Sequence, residues 1–140
     1  MGKPYALVVD DTEANRIFFE RLLSQANYSV HGYGEGKAAL NAISEMDHLE
    51  LAVVDMEMPG ISGLQLVKHF RARFPKSCIV IATMHDERSL MASAFEKGCN
   101  IFLVKPNGFM DLFGLLTSKS LQEICEQSPL VIDQHGLRPF

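Results

Sequence analysis

Five polar residues carry the chemistry open to this chain: the adjacent acids Asp10 and Asp11, then Asp55, Thr83 and Lys105. Three carboxylates brought together repel one another unless a cation neutralises them. Mg²⁺ suits such a site, because it is hard, prefers oxygen and needs only one or two direct carboxylates. A carboxylate can also form a covalent acyl phosphate, which gives Asp55 the place of a nucleophile. The Thr83 hydroxyl and the Lys105 ammonium would then each meet an oxygen of a transferring phosphoryl group, where positioning and charge do most of the work.

Each of these residues directly follows an apolar run, at residues 6–9, 51–54, 79–82 and 101–104. Short runs rich in valine and isoleucine, separated by helical periodicity, read as buried parallel strands. In an open parallel sheet the carboxyl ends of the strands point one way, so the five residues converge on one cleft. Between the strands, Thr12 reads as an N-cap, with Ala14, Phe18 and Leu22 on one helical face. A second strand over residues 28–33 precedes a helix carrying Ala39, Ile43 and Met46. Ser62 and Gln65 stand at capping-box spacing before Leu64 and Val67, and Phe74-Pro75 stops that helix. Asp86 reads as the cap of a fourth helix that ends at Gly98, and a final helix spans residues 109–126. The pattern predicts an α/β fold with five βα units and helices on both faces of a parallel sheet. One domain covers residues 1–127, and residues 128–140 read as an extended C-terminal tail.

A chain of 140 residues, 47% hydrophobic and 21% charged, has the composition of an ordinary single domain with a real core. Its net charge of −4 gives no electrostatic reason to expect nucleic acid. No apolar run approaches the roughly 20 residues a spanning helix needs, and the N-terminus lacks a signal-peptide pattern. Cys78, Cys99 and Cys125 have no metal-type spacing and read as small hydrophobes in a reducing compartment, which fits the cytoplasm. Gly32, Gly34, Gly36 and Lys37 lack the spacing of a P-loop or dinucleotide fingerprint and read as a turn.

The segments at residues 8–11, 53–60, 82–83 and 105–106 together resemble the response-regulator receiver domains of bacterial two-component signalling. The resemblance covers residues 3–126. It implies a flavodoxin-like three-layer sandwich, a five-stranded parallel sheet in order 2-1-3-4-5 with five helices. It further implies that Asp55 accepts phosphate from the phosphohistidine of a sensor histidine kinase or phosphotransfer protein. Asp11, Asp55 and the backbone carbonyl of Glu57 would hold Mg²⁺, with Asp10 acting partly through water. Thr83 and Phe102 match the family's switch positions, and the Lys105-Pro106 bond is expected to be cis. Such a domain is not a conventional enzyme, although it promotes its own phosphorylation and dephosphorylation. By the same resemblance its contact face is the fourth helix, fifth strand and fifth helix, which also offers a homodimer surface. Arg88, Met91 and Phe113 are candidate exposed residues there. The downstream protein target is not named by the sequence.

Three positions depart from the family pattern or tune it. Met84 stands where receivers usually carry a small residue, and either narrows access to Asp55 or turns aside. Glu57 and His85 flank the site at positions that influence acyl-phosphate lifetime in this family. Their predicted opposition at two strand ends suggests an ion pair that screens Asp55 from water. Two other functions fit parts of the pattern. A haloacid-dehalogenase-like phosphatase shares the chemistry, but it places its nucleophile on the first motif strand and its acid pair last. A non-signalling adaptor would keep the fold as a binding surface without phosphorylation.

Overall fold

The computed structural model describes residues 2–140. The elements run in the order β1 (Tyr5–Val9), α1 (Glu13–Gln25), β2 (Ser29–Tyr33), α2 (Gly36–Ser44), β3 (Leu51–Asp55), α3 (Gly63–Arg73), β4 (Cys78–Thr83), α4 (Arg88–Glu96), β5 (Ile101–Val104), α5 (Phe109–Ser118), α6 (Leu121–Gln127), β6 (Leu130–Asp133) and β7 (Gly136–Pro139). The strands are joined in one sheet of order β2-β1-β3-β4-β5-β6-β7. The first six strands in that order are parallel, and β7 returns antiparallel to β6.

Strand alternation divides the core cleanly, because successive side chains point to opposite faces. Leu7, Val9, Ala52, Val54, Ile79, Ile81 and Phe102 join residues of α2, α3 and α4 on one face. Ala6, Val8, Leu51, Val53, Val80, Ile101 and Leu103 join α1, α5 and α6 on the other. With both faces covered, β1, β3, β4 and β5 are buried almost throughout. Each large aliphatic side chain so buried contributes roughly 1.5–3 kcal/mol.

Local signals explain where several helices begin and end. Ser62 accepts a hydrogen bond from the Gln65 amide, and the Gln65 side chain accepts one from the Ser62 amide, which completes the expected capping box of α3. Gly98 takes a φ of +116° after α4, a conformation that glycine adopts without steric cost. At α1 the buried face is Phe19, Leu22 and Leu23. Ala14 and Phe18, expected inside, are exposed. The helix is rolled because Phe19, rather than Phe18, meets the sheet. The N-cap of α4 is Glu87, one residue beyond the expected Asp86.

The flavodoxin-like order 2-1-3-4-5 holds, but two strands and one helix extend it beyond the expected five and five. The single helix expected over residues 109–126 is broken at Lys119, whose backbone is extended at φ −131° and ψ 152°. Ser120 then caps α6 in a second capping box with Glu123. Residues 128–140, expected as an extended tail, form β6 and β7. Leu130, Val131 and Ile132 are buried because β5 otherwise presents an unpaired edge, and they cover it by pairing in parallel with Ile101, Phe102 and Leu103. Gly136, at φ +94°, closes the tight β6–β7 turn.

The hairpin belongs to the same core, so Ile132→Ala should cost about 2–5 kcal/mol, the range for emptying a buried aliphatic site. Denaturant unfolding checks this; a change within about 0.5 kcal/mol would mean that β6 is an appendage.

Candidate functional site

The carboxyl ends of β1, β3, β4 and β5 deliver the site. Asp10 and Asp11 follow β1 directly, Asp55 is the last residue of β3, Thr83 the last of β4, and Lys105 the first after β5. One carboxylate oxygen each from Asp10, Asp11 and Asp55 lies within 4.8 Å of the others. Lys105 Nζ stands 3.4 Å from Asp55 Oδ1 and 3.7 Å from Asp10 Oδ2. The structure therefore brings together four of the five predicted side chains. The fifth, Thr83, is buried at the adjoining strand end, where its hydroxyl accepts the His85 amide at 3.2 Å.

Backbone packing fixes these groups. The Thr12 amide donates to Asp10 Oδ1 at 2.9 Å, and the Asp10 amide donates to the Tyr33 carbonyl at 3.1 Å. Arg16 donates to the Asp10 carbonyl at 3.0 Å, tying the start of α1 to the end of β1. The Lys105 amide donates to the Thr83 carbonyl at 2.6 Å, and the Lys105-Pro106 bond is cis, as expected. Below Asp55 the chain turns tightly into α3: the Gly63 amide donates to the Met56 carbonyl at 2.9 Å. A Cβ on Gly63 would lie 2.2 Å from the Asp55 carbonyl oxygen, so only glycine fits without moving the strand end.

Burial dominates the electrostatics. It pushes the Asp55 carboxyl up to about 6, assisted by the charge on Asp10 and opposed by Lys105. Burial also raises Asp10, against the Thr12 amide and Lys105, which pull it down. Two of the three clustered carboxylates, Asp10 and Asp55, thus share the Lys105 ammonium, an arrangement short of positive charge. The donor set fits a hard divalent cation: all oxygen and closely spaced, with Asp10 and Asp55 raised by burial. Asp11 and Asp55 would hold such an ion, with Asp10 beside them and the Glu57 carbonyl on the following loop. Bound there, the ion would supply positive charge to a phosphoryl oxygen.

The flanking residues are now located. His85 Nε2 pairs directly with Glu57 Oε1 across the mouth of the site, and its Nδ1 lies 3.8 Å from Glu87. The Glu57 hydrogen bond and charge raise the His85 pKa, so its protonated form is favoured. Met84 stands out in solvent at 76% exposure. Phe102 is fully buried on β5, 6.4 Å from the Phe95 ring of α4. Phe95 in turn packs at 4.9 Å on Phe140, and the Arg88 guanidinium lies 4.6 Å over that same ring. Arg88 is exposed as expected, whereas Met91 turns into the core, where it is 3% exposed, and Phe113 is half-buried. Sequence reading did not find Gly63, Phe95 or Phe140. Gly63 lay inside the Ser62–Gln65 capping box without being singled out; no local signal marked the other two.

Comparison with known proteins fits this geometry. The chain belongs to the response regulator receiver domain family, whose model matches residues 6–117. It is 31% identical over 106 residues to the DNA-binding transcriptional regulator NtrC of Klebsiella pneumoniae, covering 76% of this chain and 22% of that protein. The chain thus spans about a fifth of that curated relative. Its fold matches the chemotaxis protein CheY4 of Vibrio cholerae with a TM-score of 0.74 at 23% identity, covering 81% of this chain and 95% of that one. It also matches a response regulator from Burkholderia pseudomallei, solved with a phosphorylated aspartic acid, a calcium ion and citrate. That match has a TM-score of 0.73 at 23% identity and covers 86% and 70% of the two chains. The chain is thus a signalling domain of two-component response regulators rather than an enzyme of the conventional kind. Among the described residues no helix is long and apolar enough to cross a membrane.

A raised carboxyl makes a signed prediction. The folded chain binds the Asp55 proton at about 6, against an ordinary value of 3.8. Ionised Asp55 therefore opposes folding at neutral pH, and this cost disappears as pH falls through 6 towards 4. Without divalent cations, Asp55→Asn should be more stable than wild type near pH 8 by on the order of 2 kcal/mol. The gap should close by about pH 4, and Mg²⁺ should stabilise wild type preferentially. Denaturant midpoints across that range decide it; a gap independent of pH would remove the ionised carboxylate as its cause.

Proposed function

We propose that Asp55 is the phosphoacceptor of a two-component phosphorelay, loaded from the phosphohistidine of a sensor histidine kinase or phosphotransfer protein. A carboxylate oxygen of Asp55 forms a bond to phosphorus, the phosphorus–nitrogen bond breaks, and its electron pair stays on the histidine ring. Asp55 carries this reading: it lies buried at the end of β3, 3.4 Å from the Lys105 ammonium and within 4.8 Å of two further acids. Lys105 is placed to pair with one phosphoryl oxygen. Thr83 would donate its hydroxyl to another once it gives up its bond from the His85 amide. Asp10, Asp11, Asp55 and the Glu57 carbonyl form the site for Mg²⁺. The domain thereby promotes its own phosphorylation and, with water in place of the acceptor, its own dephosphorylation.

In this reading Thr83 and Phe102 are the switch pair, and output passes through the α4, β5 and α5 face to a protein target. Phe102 lies beneath Phe95 and Phe140, so a change there reaches the surface through the C-terminal strands as well as through α4. A homodimer on this face would include the hairpin, because β6 occupies the edge of β5. The net charge of −4 favours contacts with protein over nucleic acid. Free thiols at all three cysteines suit a cytoplasmic setting away from membranes.

Incubation with Mg²⁺ and a small acyl phosphate donor, read by intact mass, should add one phosphoryl group to wild type and none to Asp55→Asn. Thr83→Ala and Lys105→Ala should each slow the gain on the order of tenfold to a hundredfold. Full-rate labelling of Asp55→Asn would end this proposal, and absence of labelling with Mg²⁺ still bound would favour a binding adaptor. The His85–Glu57 pair spans the mouth of the site, so His85→Ala should lose its phosphoryl group several-fold faster than wild type. An unchanged decay rate would show that the pair does not screen Asp55.

A further inference from the structure

Away from the phosphorylation site, two of the three cysteines meet. Cys78 opens β4 and is fully buried; Cys125 lies on α6, which packs against that strand. Cys125 packs against the same apolar cluster that holds the Cys78 side chain, which places the two thiols on one side of β4. Cys125 is half-buried and lines a cleft of about 610 Å³ open to solvent, with Arg71, Lys76, Asn100, Gln122 and Glu126 around it. Small hydrophilic molecules can therefore reach one sulfur of the pair but not the other.

The charge beside Cys125 is unusual. The Arg71 guanidinium donates to the carbonyls of Gly98 at 2.7 Å, Pro75 at 2.9 Å and Ser77 at 2.7 Å, and to Asn100 Oδ1 at 2.6 Å. All these acceptors are neutral, and no carboxylate among the described residues forms an ion pair with Arg71. The cation is held rigidly, half-buried and without a counter-ion, next to a thiol that can become one. The neighbouring Cys78 thiol and the charge of Arg71, against burial, bring the Cys125 pKa down to about 7, while proximity to Cys125 and burial raise Cys78. Thiolates in such electropositive, partly exposed settings are the reactive ones.

We propose that Cys125 is a peroxide-reactive thiol and Cys78 its resolving partner, forming a reversible bridge between α6 and β4. The Cys125 thiolate attacks one oxygen of a hydroperoxide, the O–O bond breaks, and the leaving oxygen departs with a proton as water or an alcohol. The sulfenic acid so formed is attacked by the Cys78 sulfur; the S–O bond breaks, and the Cys78 proton leaves with the hydroxide as a second water. Two thiols and one peroxide thus become a disulfide, which a dithiol reductant reopens. Cys99 takes no part: it is buried, its thiol donates to the Ile101 carbonyl at 2.9 Å, and burial pushes its pKa up to about 12.

Brief exposure to hydrogen peroxide, followed by alkylation of the denatured chain and peptide mapping, tests the assignment. Wild type should lose two hydrogens, keep Cys99 as its one alkylatable thiol, and recover all three with dithiothreitol. Cys99→Ser should still form the bridge, and Cys125→Ser should not. Cys78→Ser should leave a sulfenic acid on Cys125 that dimedone captures. Methionine oxidation at Met84 and Met110, 76% and 73% exposed, serves as the internal dosimeter. Three free thiols at doses that oxidise those methionines would overturn the proposal, as would a bridge mapped to Cys99. If Cys78→Ser does not fold, the wild-type map and Cys125→Ser decide the matter alone.

Discussion

Asp10 and Asp55 lie buried at adjacent strand ends, and Lys105 is the ammonium that reaches both of them. Two carboxylates taken out of water cost free energy that one lysine offsets only in part. That unfavourable balance requires rigid surroundings, because a flexible loop would swing the acids back into solvent. Parallel strands buried on both faces supply the rigidity, and the tight turn at Gly63 holds the β3 end in place. The same imbalance makes the site receptive to charge from outside: a cation first, then an anionic group that a cation and an ammonium can share.

The sheet connects this site to a distant part of the surface. From β3 to β4 to β5 the register is continuous, so Asp55, Thr83 and Lys105 occupy one rim, while Phe102 pairs with Ile81, two residues before Thr83. Phe102, Phe95 and Phe140 pack outward in turn as tilted rings, from fully buried Phe102 to half-buried Phe140. Aromatic contacts of this kind transmit displacement because a packed core leaves no free volume to absorb it. In the proposed switch, a shift of Thr83 on β4 would reach β5 through the backbone bond between the Lys105 amide and the Thr83 carbonyl.

Most of the site was legible because each functional side chain ends a four-residue apolar run, and strand ends in a parallel sheet have only one place to go. The capping box of α3 was equally clear, since Ser62 and Gln65 meet both of its conditions. The C-terminal strands were not. Leu130, Val131 and Ile132 make a run too short to separate from a loop, and their burial depends on β5 lacking another neighbour. The break at Lys119 was readable in principle from Ser120 and Glu123, but the leucines on both sides kept a helical period across it. The roll of α1 depends on which of two adjacent phenylalanines meets the sheet, a choice tertiary packing makes.

The hairpin also decides how the molecule tolerates its own kind at high concentration. Bare, β5 would present an apolar row of unsatisfied amides and carbonyls, the template on which chains add to one another and precipitate. The border that replaces it is short, ends in a proline that cannot donate, and carries Arg138, whose guanidinium is held 2.5 Å from Asp133. Charge and a missing donor make that border a poor seed, so the last strands give the protein colloidal protection.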